Sequence, residues 1–145
     1  MLETILTIAL GIIGGLAVGT QSQVVGEMSQ KVGGIAGSFI VHVSGAVIAG
    51  LLLLARSGEQ IGSWRELNWY NLGSGVFGVI LYLTLSQTLP RLGATAAIAL
   101  IIIGQLTMGI LIDHFGLFGA TIRPVDISRI GAVVLLVAGG WLVLR

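Results

Sequence analysis

The sequence predicts an all-α integral membrane protein of five transmembrane helices, and three observations carry that expectation. The chain is 55% hydrophobic and 9% charged, with 23 glycines among 145 residues, a composition outside the soluble globular range. Its 7 Lys+Arg and 6 Asp+Glu all fall outside five uncharged runs, at 4–26, 32–55, 67–90, 92–112 and 130–144. At about 1.5 Å per residue, four of these runs suffice to cross a hydrocarbon core of about 30 Å. The expected helices cover 3–26, 33–55, 67–89, 93–114 and 126–144, within a single membrane domain, 1–145.

The same composition narrows the function. With no cysteine there is no disulfide, thiolate nucleophile or soft metal site. A net charge of +1 provides no basic patch for nucleic acid. There is no phosphate loop and no pair of histidines at metal-ligand spacing, so neither cofactor nor metal is expected. The adjacent Asp113 and His114 look like an acid/base pair, but helix neighbours point about 100° apart and do not face each other. Enzyme is the least supported class, and membrane lipid the first expected partner.

The first run lacks a Lys/Arg-rich start and a small-x-small cleavage site, so it is expected to remain in the mature protein as a span. Gly11, Gly15 and Gly19 lie at four-residue spacing, which stacks three bare positions on one face and suits close helix packing. Beyond them the helix turns polar through Gln21, Ser22, Gln23, Gly26, Glu27, Ser29, Gln30 and Lys31. Two readings stand: the helix is leaving the membrane, or Gln23, Gly26 and Gln30, which continue the line of Gly15 and Gly19, line a vestibule.

The second run places Ser38, His42 and Gly45 on one face, with His42 deep in the span. An intramembrane ionisable group needs a partner or water and is by default a functional candidate. The polar link 56–66 is an interfacial loop, and Trp64, Trp69 and Tyr70 around its exit form an aromatic belt. In the third run Gly73, Gly75 and Gly78 invite close packing, while Tyr82 and Ser86, four residues apart, reach the interior. Pro90 and Arg91 then force a tight hairpin into the fourth helix.

That fourth helix carries Gln105 near its centre. An unpaired carboxamide is costly in hydrocarbon, so Gln105 should face another helix or a water-filled cavity. Asp113 and His114 anchor the helix end, His114 at the negative end of the helix dipole. The fifth run is short for a span, but Asp126 and Arg129 can snorkel to the interface and lengthen it.

At this point the chain resembles the YdcZ-like family of the drug/metabolite transporter superfamily. Gly73, Gly78, Pro90-Arg91-Leu92-Gly93, Gly104-Gln105-Leu106 and Ile112-Asp113-His114-Phe115-Gly116-Leu117-Phe118-Gly119 carry the resemblance. Gln21-Ser22-Gln23 and Arg123-Pro124 extend it over nearly the whole chain. The sequence departs from the family pattern at Val25, where asparagine is expected, and at Ser29, where glycine is. The resemblance implies a small five-helix, multi-pass protein of the prokaryotic inner membrane, classed as a transporter, whose single short chains pair with themselves.

Loop charges bear on that pairing. On the N-terminal side stand Arg56, Arg65, Arg123 and Arg129, and on the other Lys31, Arg91 and Arg145. A margin of 4 − 3 = 1 barely biases insertion, which suggests an antiparallel, dual-topology homodimer. The expected activity is secondary transport of a small metabolite or amphipathic compound through a polar path at the dimer interface. Gln21, Gln23, His42, Tyr82, Ser86 and Gln105 line that path, and His42 could couple proton movement to it. A dual-topology ion channel and a non-transporting accessory subunit are the alternatives.

Overall fold

A computed structural model describes all of the chain, Met1–Arg145. The first helix, α1, is Leu2–Val32, so it continues past the expected end at 26. Its buried hydroxyls are satisfied within the helix: Ser22 donates to the Val18 carbonyl at 2.8 Å and Ser29 to that of Gly26 at 2.9 Å. Lys31 pairs with Glu27 at 2.6 Å across one turn, the orientation that best supports a helix. The helix stops at Gly33, whose φ of 86° and ψ of 157° lie in a region essentially restricted to glycine. Gly33 is also the whole connection to α2, Gly34–Ala55, and α1 packs along α2.

The link after α2 coils through a 3-10 segment, Ile61–Glu66, and a single helical turn, Trp69–Leu72. The next long helix starts at Gly75, and the aromatic anchors expected at the head of the third run occupy a separate turn before it. Asn68 donates to the Tyr70 hydroxyl at 2.9 Å, and Trp69 meets Tyr70 edge to face with centroids 6.0 Å apart.

The helical stretch Gly75–Phe115 breaks at Gly93, where φ is 77° and ψ is 166°. We number its limbs α3 (75–92) and α4 (94–115). The break falls at Gly93 and not at Pro90, which stays within the helical stretch. Proline has no N–H to offer the carbonyl four residues back, but its φ is compatible with helix, so the glycine supplies the turn. Gly116 in a left-handed conformation ends α4, and a 3-10 turn, Leu117–Gly119, follows.

The last helix, α5, is Ile127–Val143, with Asp126 at its N-cap accepting from the Arg129 amide at 2.8 Å. Its 17 residues reach about 26 Å, somewhat under a hydrocarbon core. Helix α5 meets α4 at Gly140, where a Cβ would lie 2.8 Å from Ile103 Cδ1.

The chain divides into two compact units, Met1–Gln87 and Thr88–Arg145. The first holds α1, α2 and most of α3, and the second the end of α3 with α4 and α5. Large apolar side chains such as Leu6, Leu16, Ile48 and Leu135 stand exposed, as helices solvated by lipid require. Three stretches, Leu2–Val32, Gly34–Ala55 and Trp69–Phe115, are long and apolar enough to cross a membrane. The third is long enough to do so twice, once on each side of Gly93.

Candidate solute site

Within the first unit, α2 and α3 are joined by glycines set opposite polar side chains. A Cβ on Gly34 would lie 3.1 Å from Ser86 Oγ and 3.3 Å from Leu83 Cδ2. One turn along α2, the Tyr82 hydroxyl presses into the space left by Gly37, and a Cβ there would also meet Tyr82 Cζ at 2.9 Å. Further on the roles reverse, and His42 of α2 faces Gly78 of α3, with Nε2 2.7 Å from the position of a Cβ. Partner numbers fall along α3 as they rise along α2, so these helices run antiparallel.

This register fixes the chemistry of His42. Its Nδ1 lies 2.7 Å from the Ser38 carbonyl and 3.4 Å from the Ser38 hydroxyl. A carbonyl only accepts, so Nδ1 carries a proton and donates, and Nε2 is the ring nitrogen turned toward α3. Ser38 itself is buried. The hydroxyl of Tyr82, a residue only 3% exposed, is buried with no hydrogen-bond partner.

Helix α1 closes one side of this seam. Val18, Ser22 and Val25, spaced three and four apart, form a stripe that with Gln21 faces α2 and α3 across a cleft of about 120 Å³. Val41 and His42 supply the α2 wall, and Gly78, Leu81, Tyr82 and Leu85 the α3 wall. No Asp, Glu, Lys or Arg lines it. On its other flank His42 borders a second, apolar cleft with Ile35, Ser38, Phe39, Val79 and Leu83.

The cleft thus unites Gln21, His42 and Tyr82 of the sequence-predicted path, with Gly78 as the packing glycine opposite His42. Gln23 is exposed and does not line it. Ser86 sits at the Gly34 contact, donating to the Leu83 carbonyl at 2.7 Å. Gly11, Gly15 and Gly19 have nothing within 4 Å of where a Cβ would lie, so that face is open within the first unit. Sequence reasoning passed over Gly34 and Gly37, although their spacing at the start of the second run was a signal. Val25 and Ser29, the two positions where the chain departs from the family pattern, are both buried on α1.

In the second unit Gln105 is exposed. It lies two residues beyond Ile103, which meets Gly140 of α5, and so points roughly 200° away from that contact. Asp113 and His114 anchor the end of α4 to the segment leading into α5. The Asp113 carboxylate accepts from Arg129 Nη1 at 3.1 Å and its carbonyl from the Arg123 amide at 2.8 Å. Arg129 Nη1 also donates to the Arg123 carbonyl at 3.3 Å, and the Val125 amide to His114 Nδ1 at 3.3 Å.

Residues 6–142 match the family model described as "Putative inner membrane exporter, YdcZ". A curated relative, the "Inner membrane protein YdcZ" of Escherichia coli (strain K12), is 33% identical over 92 residues. That alignment covers 63% of this chain and 59% of the relative, so the match spans about three-fifths of the relative's length. No solved structure matches.

Proposed function

The chain belongs to the YdcZ family of multi-pass inner-membrane proteins, and on that premise we propose that it is a small secondary transporter. It moves a small metabolite or amphipathic compound, and the cleft between α1, α2 and α3 is part of the path. The observation that carries this reading is the meeting of Gln21, His42 and Tyr82, from three membrane-crossing helices, around one cleft without a charged side chain. Polar groups at membrane depth are costly unless they serve a pathway or one another, and the Tyr82 hydroxyl has no partner within the chain.

The working unit in this reading is an antiparallel pair of chains. Three features support it: the near-even loop charges, the open face of Gly11, Gly15 and Gly19, and the exposed carboxamide of Gln105. A second copy would shield that carboxamide from lipid.

Reconstituted liposomes provide the test. Screening amino acids, sugars and lipophilic cations should find a solute whose uptake saturates and whose counterflow is driven by the same solute inside. Ion conductance without saturation would replace the transporter with a channel, and the absence of both would leave an accessory subunit.

A further inference from the structure

We propose that the α1–α2–α3 cleft is a hydrogen-bonding site for a small uncharged solute carrying both an acceptor and a donor, such as an amide or an alcohol, with Tyr82 and His42 as its two polar contacts. The proposal rests on the transporter reading for its setting and adds the chemistry of the solute. The Tyr82 hydroxyl is its main support. Phenylalanine would fill the same volume, yet this position carries a hydroxyl that is buried and unpartnered, an arrangement that is destabilising in itself. A solute acceptor would satisfy it.

His42 supplies the complement. With Nδ1 donating to the Ser38 carbonyl at 2.7 Å, Nε2 accepts from a solute donor whenever it carries no proton. Formal charge on the solute is disfavoured, because no Asp, Glu, Lys or Arg lines the cleft to neutralise it. The remaining walls of this cleft of about 120 Å³, including Val18, Val25, Leu81 and Leu85, are apolar and suit a short hydrocarbon body. At rest the hydroxyl is sealed against Gly37, so the Tyr82 ring leaves that notch when the solute binds. Leaving sacrifices no hydrogen bond, since the hydroxyl makes none there.

The test is equilibrium binding to the detergent-solubilised full chain at neutral pH, read as a shift in Tm, with three probes of one shape: 2-methylpropanamide, 2-methylpropanoate and the 2-methylpropanamidinium ion. The amide should raise Tm while the anion and cation should not. Tyr82→Phe should be at least as stable as the wild type without ligand, yet bind the amide about tenfold more weakly, the loss of one hydrogen bond. Equal amide affinity in Tyr82→Phe, or equal stabilisation by the ions, would overturn the site. Saturable flux in liposomes that is indifferent to Tyr82→Phe would sink the site and leave the transporter reading standing. Amide binding lost in Tyr82→Phe, with no solute moved by the wild type, would do the reverse.

Discussion

Gly33 and Gly93 occupy the same corner of backbone space, with φ/ψ of 86°/157° and 77°/166°. Each is the one residue between two long helices, α1 and α2 in the first case and α3 and α4 in the second. That corner is essentially closed to residues with a Cβ. Nothing lies within 4 Å of a Cβ at either position, so substitution there is felt by the backbone alone. Gly33→Ala and Gly93→Ala should each lower stability by about 1–3 kcal/mol. Gly50→Ala, inside α2 with equally open space, should be neutral or slightly stabilising. Unfolding midpoints in one detergent would show it, and an unchanged midpoint for Gly93→Ala would count against the broken helix.

The contact between Gly37 and Tyr82 should appear as an energetic coupling. A Cβ on Gly37 collides with the Tyr82 hydroxyl and sits 2.9 Å from Cζ, so Gly37→Ala should cost about 1–3 kcal/mol through overpacking. In a Tyr82→Ala background the ring is gone and the same change should cost much less, a departure from additivity of about 0.5–3 kcal/mol. Strict additivity in the double-mutant cycle would mean that the two side chains do not meet.

Gly78→Ala addresses the imidazole in the same way. The new methyl would start 2.7 Å from His42 Nε2 and drive the ring off the Ser38 carbonyl. Flux should fall about tenfold, as one hydrogen-bonded contact is lost, and His42→Gln should fall comparably. A Gly78→Ala protein that transports normally would remove His42 from the path.

How much of this was legible in the sequence follows from which forces act at each place. The spans could be read because charge is expelled from hydrocarbon whatever the packing, and the five helices sit where the uncharged runs lie. Ends were harder. The polar turn of α1 stays helical as far as Val32, with Lys31 paired to Glu27 across one turn, and in the third run the aromatics occupy a turn of their own ahead of the helix that begins at Gly75. Within the site, His42 and Tyr82 stood out as costly groups in an apolar run. Gly37 did not, because its importance depends on the α2–α3 register, a pairing that no single helix encodes. The interior role expected of Gln105 rests on its chemistry, and within its own unit the residue is exposed.

Asp113 and Arg129 form a clasp that should govern the segment between α4 and α5. The pair is 3.1 Å apart and only partly buried, so after allowance for solvent screening Asp113→Asn or Arg129→Ala should cost about 0.5–1 kcal/mol. The clearer effect should be local, with faster hydrogen exchange at the Arg123 and Val125 amides, which bond to Asp113 and His114. Asp126→Ala removes the N-cap of α5 and should cost about 1 kcal/mol. Exchange at Arg123 unaffected by loss of the Arg129 side chain would mean that the clasp does not hold the loop.

Orientation follows from the margin of one positive charge. With 4 basic side chains in the loops on one side and 3 on the other, insertion is nearly undecided, and a pair of added lysines should decide it. Placed after Arg145 they make the count 4 against 3 + 2 = 5, and placed beside Thr4 they make it 4 + 2 = 6 against 3. Each variant should populate a single orientation, read by reporter fusions at the C-terminus. If the working unit is an antiparallel pair, either variant expressed alone should be nearly inactive, and co-expression should restore flux because each supplies the orientation the other lacks. A wild-type chain found in one orientation only, or a pinned variant fully active by itself, would exclude that pair. The exposed Gln105 would then have to be covered by a parallel copy or by a different protein, because lipid offers its carboxamide no hydrogen bond.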